Sequence, residues 1–260
     1  MEFDLVSLQD SLRNLPLGGI LLFSELSSTN DYCLSIPQDD IRDLMLVITN
    51  YQMAGRGRKN NRWISPRNSS LTFSLILLPS EDKSVKIGEY TALGALAVIR
   101  SINKLWPGVE PLIKWPNDIL IGKKKICGVL SEVSWLGEKP ERIVIGIGIN
   151  ISNESISSND QFSYPATCLE NEIGQPVDKL EFLQLIIEET IKLRGKIGTA
   201  KFISDWENNL AFRGQQVNII IDNEKSKSGV LLGLNKDGSL RLLDESNSEL
   251  IIQYGTVHLR

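Results

Sequence analysis

The segment Gln52-Met-Ala-Gly-Arg56-Gly-Arg58-Lys-Asn-Asn-Arg62-Trp63, continued to Arg67, gathers five cations and no carboxylate. It does so in a chain where 28 Lys and Arg are outnumbered by 32 Asp and Glu, so the positive charge is local. Guanidinium groups hold phosphate or carboxylate oxygens through paired hydrogen bonds, and glycines between them let the backbone approach a ligand. No third glycine completes GxGxxG, and no GxxxxGK[ST] occurs, so neither a dinucleotide fold nor a P-loop is spelled out. A second cluster, Lys114-Trp-Pro-Asn117-Asp118, sets a cation, an amide and a carboxylate at a strand end that Pro116 interrupts, a set suited to phosphates with a magnesium ion.

The run Lys123-Lys-Lys125 reads first as a solvated turn. Lys125, however, precedes the apolar Ile126-Cys-Gly128-Val-Leu130, where burial could desolvate one ammonium group at a site. Gly146-Ile-Gly148-Ile-Asn150 closes a strand with glycines that permit close approach and an amide able to read a base or a phosphate. His258 is the single histidine, lies in the terminal β pattern and reads as structural or surface, so no Ser-His-Asp or Cys-His set can be assembled. A metal-ligand set is not identifiable.

The elements that must position these residues follow from periodicity. Leu5, Leu8, Leu12 and Leu15 predict a helix ended by Pro16 and Gly18-Gly19, with a strand over 20–23. Ser27-Ser28-Thr29-Asn30 suits a helix N-cap; strands are predicted over 44–49, 71–78, 112–115, 119–121, 128–133 and 142–149. Gly122-Lys-Lys124 reads as a hairpin turn, 88–105 as a buried helix and 178–209 as a helical region. The Ser-, Asn- and Asp-rich stretch 152–163 predicts a mobile surface loop. From Arg213 the pattern changes to short strands separated by turns such as Asp237-Gly238, which predicts a small β-barrel from about residue 212.

A length of 260 residues with 42% apolar and 23% charged residues fits one large domain with a small appendage. The net charge of −4 argues against a dedicated nucleic-acid binder. Cys33, Cys127 and Cys168 lack CxxC spacing, the start Met1-Glu-Phe-Asp4 is acidic, and no apolar run reaches the roughly 18 residues of a membrane span. A soluble, cytoplasmic protein is expected.

In order, Gly55-Arg-Gly-Arg58 with Arg62-Trp63, Lys114 to Asp118, Lys125-Ile-Cys-Gly128 and Gly148-Ile-Asn150 resemble the motifs of the biotin–protein ligases, from Ser27 to the C-terminus. The short segment before Ile20 resembles the monofunctional type without an N-terminal DNA-binding domain. The resemblance implies an α+β fold, a mixed β-sheet flanked by helices as in class II synthetases and biotin–lipoate ligases, over 1–211, with an SH3-like barrel over 212–260. It implies ATP-dependent formation of biotinyl-5′-adenylate and transfer of biotin to a lysine, with Mg2+ accompanying ATP and biotin as a substrate.

Biotin-binding positions implied by the resemblance are Ser28, Thr29, Asn30, Gln52, Gly55, Arg56, Gly57, Lys125, Gly128 and Gly148. Nucleotide and phosphate positions are Arg56, Arg58, Arg62, Trp63, Lys114, Asn117, Asp118, Asn150 and Arg260, and the catalytic pair is Lys125 with Arg58. The implied partner is a biotin carboxyl carrier domain of a biotin-dependent carboxylase, without nucleic acid or membrane; a homodimer stays open. Asn60-Asn61 dilute the basic loop, and 152–163 carries little of the family pattern. A lipoate–protein ligase or octanoyl transferase is the nearest alternative, and a noncatalytic biotin-sensing module the alternative of another class.

Overall fold

The computed structural model describes residues 2–79, 85–156, 165–221 and 225–260. The Asp4 side chain accepts from Ser7 N and caps α1 (Leu5–Leu12), which buries Leu8 and Leu12. Leu5 of the expected apolar face stays exposed, and Leu15 lies beyond the helix end. β1 (Gly19–Phe23) leads to α2 (Thr29–Ser35), whose N-cap is Ser28, and then to β2 (Met45–Thr49). The basic segment is more ordered than a loop. Its two-residue strands β3 (Gly55–Arg56) and β4 (Arg62–Trp63) pair antiparallel across a 3₁₀ turn at Arg58–Asn60.

β5 (Ser70–Leu77) and α3 (Ile87–Leu105) precede the hairpin of β6 (Pro111–Lys114) and β7 (Asp118–Ile121), and then β8 (Lys124–Leu136) and β9 (Lys139–Asn150). The strand expected over 128–133 thus runs further at both ends, because β9 pairs with β8 from Cys127 out to Leu136 and β7 pairs with the first residues of β8, Lys124 and Lys125. α4 (Leu169–Ile173) was not anticipated. The helical region is two helices, α5 (Lys179–Arg194) and α6 (Ala200–Asn208), parted at 195–199, where Gly198 takes φ +78°.

β1 to β9, without the β3–β4 hairpin, form one seven-stranded sheet in the order β1-β2-β5-β9-β8-β7-β6. β1 and β2 run parallel and the other pairs antiparallel, so the sheet is mixed. Side chains alternate between its faces. Leu71, Phe73, Leu75 and Leu77 of β5 enter the main core beneath α3, while Ser70, Thr72 and Ser74 occupy the opposite face. α3 lies close on the sheet because Gly94 leaves no side chain there; a Cβ would sit 3.0 Å from both Ile145 and Val129.

β10 (Gln216–Ile220), β11 (Ser226–Leu234), β12 (Leu240–Leu243), β13 (Glu249–Ile252) and β14 (Thr256–Leu259) form a five-stranded antiparallel sheet in the order β13-β12-β11-β10-β14. The change of pattern near 212 therefore marks the start of a second sheet. Val217, Ile219, Leu231 and Leu240 nonetheless share one apolar cluster with Trp206, Leu210 and Phe202. Among the described residues no helix is long and apolar enough to cross a membrane.

Candidate active site

Above the hydroxyl-bearing face of the sheet lies a cavity of about 340 Å³, and small residues make its floor. In register across the strands, Thr72 stands beside Gly148 and Gly148 beside Gly128; Ser74 stands beside Gly146 and Gly146 beside Leu130. The absent side chains are what other groups occupy. A Cβ on Gly146 would collide with the Asn30 amide, and one on Gly148 would come within 2.5 Å of Trp63 Cε2.

One end of the cavity is a network of neutral polar groups at the start of α2. Ser28, Thr29, Asn30 and Gln52 are all buried and line the wall. Gln52 Oε1 accepts from Thr29 N at 2.9 Å, and Ser74 Oγ donates to Asn30 Oδ1 at 2.7 Å while lying 2.7 Å from Thr29 Oγ1. Asn30 Nδ2 donates to Leu130 O and to Glu132 Oε2. Glu132 also receives Arg56 through both oxygens at 3.0 and 2.7 Å, and Asp31 pairs with the same guanidinium at 2.7 Å. Arg56, implied for both ligands, is thus held at the rim by two carboxylates, and Glu132 joins the basic loop to the polar pocket. Sequence reasoning missed Asp31, Ser74 and Glu132, whose roles appear only when the strands are side by side.

The other end is cationic. Arg56, Arg58, Lys59, Arg62, Lys114 and Lys125 line the cavity against a single carboxylate among the described lining residues, Asp118. Lys125 Nζ lies 2.6 Å from Asp118 Oδ1 and Lys114 Nζ 3.3 Å from Asp118 Oδ2, so the carboxylate is shared between two ammonium groups. Burial would push the Asp118 carboxyl up, but Lys125 and Lys114 overcome it and hold it below the ordinary carboxylate range. Burial also pushes Lys114 below the usual lysine range, with Asp118 opposing.

Lys125 reaches the cavity because of a β-bulge. The register between β7 and β8 shifts so that Ile119 faces Cys127 while Leu120 faces Lys125, leaving Ile126 as the extra residue. Ile126 and Cys127 both enter the core, and Lys125 emerges on the same face as Gly128, three residues on. Its backbone is fixed from the far side: Lys125 N donates to Pro165 O and Thr167 N to Lys125 O. Its ammonium stands 5.8 Å from the centre of the Trp63 ring.

Arg58 is half-buried and weakly committed, with Nη1 3.5 Å from Asn117 Oδ1 and 3.4 Å from Gly255 O in the turn between β13 and β14 of the second sheet. Lys59 donates to Ile221 O at 3.0 Å, so the basic turn rests on that sheet. Asn117 is locked to β8, donating to Val129 O, and Asn150 Nδ2 donates to Thr167 O. Gly57 and Trp63 line the cavity with them, whereas Gly55 lies behind the wall, where a Cβ would meet Gln52 Nε2 and the Trp63 backbone. Arg260 is not brought to the cavity; its guanidinium lies 3.5 Å from Glu245. In the stretch 152–163, residues 152–156 carry a short 3₁₀ turn, Asn153–Ser155, and Ser155 lines the cavity; residues 157–163 lie outside those described. Among the described residues no trio of His, Cys, Asp or Glu is placed to hold a metal ion.

These features define an α+β ligand-binding domain whose cavity runs from a neutral polar pocket to a cationic rim. The chain belongs to the biotin/lipoate A/B protein ligase family, whose sequence model matches residues 22–150. It is 33% identical over 177 residues to the bifunctional ligase/repressor BirA of Bacillus subtilis (strain 168), covering 68% of this chain but only 54% of that protein's length. It is 29% identical over 245 residues to BirA of Escherichia coli (strain K12), covering 92% of this chain and 73% of the other. The biotin–[acetyl-CoA-carboxylase] ligase of Paracoccus denitrificans is 26% identical over 210 residues, 79% of this chain and 86% of its own. The fold matches that of the biotin protein ligase from Aquifex aeolicus, solved in complex with biotin and ATP, with a TM-score of 0.79 and 24% identity over 94% of this chain and 99% of that one.

Proposed function

We propose that this protein is a biotin–protein ligase. The observation that carries the reading is one cavity in which a neutral amide and hydroxyl pocket, suited to a cyclic urea, opens onto a wall of six cations that includes Lys125. In the first half-reaction a biotin carboxylate oxygen bonds to the α-phosphorus of ATP as the bond to the β-phosphate oxygen breaks and pyrophosphate leaves. Lys125 and Arg58 stabilise the charge that develops on the reacting oxygens, and Asp118 holds Lys125 in place. In the second, the neutral amine of an acceptor lysine attacks the acyl carbon, AMP departs and the amine proton is released. The acceptor proposed is a biotin carboxyl carrier domain; the name of the Paracoccus relative gives acetyl-CoA-carboxylase as the acceptor of that protein.

Magnesium enters with the triphosphate as part of the substrate, because both Asp118 oxygens already face ammonium groups. Incubation with biotin, MgATP and a carrier domain should give covalently biotinylated carrier. Pyrophosphate exchange that depends on lipoate rather than biotin would select the lipoate alternative, and ligand binding without any exchange the noncatalytic one.

Two substitutions test the division of the cavity. Arg58→Ala is expected to weaken ATP binding about 10- to 100-fold and biotin binding less than about threefold, the scale of lost charge-assisted hydrogen bonds. Calorimetry checks this, and the opposite ranking would reverse the assignment. Gly148→Ala places a methyl in the Trp63 ring, so the ring must move; affinity for both ligands should fall roughly tenfold or more, as for an overpacked site. Unchanged affinities would show that the Trp63 position is immaterial.

A further inference from the structure

The floor carries one polar group that the protein leaves without a partner. Thr72 is 5% exposed and lines the cavity, yet its Oγ1 has no hydrogen-bond partner. Its neighbour at the same face, Ser74, is bound into the Thr29–Asn30 network. Across the next strand the Trp63 indole N–H, seated over Gly148, is also buried without an acceptor. Buried hydroxyls are almost always paired, and one left unpaired is costly, so a buried, unpartnered hydroxyl on a residue that lines the cavity marks where a ligand supplies the partner.

We propose that Thr72 is a specificity-determining residue whose hydroxyl bonds a polar atom of the ring system of the bound acid and so discriminates against apolar acyl acids. The inference rests on the biotin-ligase reading. A heterocyclic head offers donors and acceptors over the floor; an octanoyl chain offers none, and its occupancy leaves Thr72 buried and unsatisfied. Sites built to hydrogen-bond a polar group reject analogues lacking it far more strongly than apolar pockets reject an extra group. The family joins biotin and lipoate ligases, and a single hydroxyl on β5 is a simple device for keeping the two classes of acid apart.

Thr72→Val keeps the branched shape of the side chain and puts a methyl in place of the hydroxyl. With the intact protein, biotin binding measured by calorimetry should weaken about tenfold, while octanoate, measured by competition, binds no worse than to the wild type. Thr72→Ser should restore biotin affinity to within about twofold, and Ser70→Ala, which removes a buried hydroxyl that does not line the cavity, should change neither acid. Because the hydroxyl has no partner inside the protein, Thr72→Val should melt at or above the wild-type temperature. A lowered melting temperature, unchanged biotin affinity, failure of serine to rescue, or a parallel loss for octanoate would each overturn the proposal. A wild-type protein that binds no biotin would instead overturn the ligase reading itself.

Discussion

Replacing Lys125 with alanine is expected to slow adenylate formation about 10²- to 10³-fold, the range for removing one preorganised donor from a developing oxyanion. The geometry makes the effect specific to this lysine. The bulge at Ile126 turns Lys125 into the cavity, Asp118 fixes its ammonium at 2.6 Å, and the strand-like contacts of Pro165 and Thr167 hold its backbone. Lys123 stands exposed in the β7–β8 turn and does not line the cavity, so Lys123→Ala should leave the rate within about twofold, as for an isolated surface charge. Biotin-dependent pyrophosphate exchange separates the two. Equal losses would mean the lysine run acts as a diffuse patch, and a normal rate for Lys125→Ala would remove it from the chemistry.

Asp118→Ala is the substitution with the largest expected cost to stability, about 3 kcal/mol, because it strips a counter-charge from a lysine that is 2% exposed. Differential calorimetry should show the melting temperature falling by roughly 10 °C. Asp118→Ala combined with Lys114→Met should recover much of it, since removing both members of a buried pair costs less than removing one. The pH dependence has a definite sign. The folded Asp118 carboxyl lies below its ordinary value of 3.8, so the unfolded chain takes up the proton first as acid is added. Its contribution is full above the unfolded value and drains away as the pH falls through the folded one. Asp118→Asn should therefore flatten the acid limb of the stability curve; an unchanged limb would show that other carboxylates set it.

Much of this site was legible because the chemistry-bearing residues sit in short runs. Gln52 to Trp63, Lys114 to Asp118 and Gly146 to Asn150 each lie within one hairpin or one strand, so local spacing already grouped them. The helix at 87–105 was readable for a similar reason: its small and apolar residues repeat with the helical period over five turns. What escaped is long-range register. Nothing local in Ser70-Leu-Thr72-Phe-Ser74 tells which face meets α3, and Glu132 looks like any strand carboxylate until β8 lies beneath α2. The reach of Lys125 could not be read either, since regular alternation would set Lys125 and Gly128 on opposite faces and only the bulge reconciles them. Arg260 was placed at the site by resemblance alone, and the structure sets it against Glu245.

The glycine pavement of Gly128, Gly146 and Gly148 also decides where the entropy of binding falls. The side chains seated on it, Asn30 over Gly146 and Trp63 over Gly148, already pack against the strands, so a rigid bicyclic ligand meets groups with little rotamer freedom left to lose. The long side chains are gathered instead at the rim, in Arg58, Lys59 and Arg62, each costing roughly 0.5–1.5 kcal/mol when immobilised. The acid therefore meets a preorganised seat and the nucleotide an adaptable one. On the ligase reading, loading the rigid ligand first would leave the costly ordering to the partner that brings the most charge.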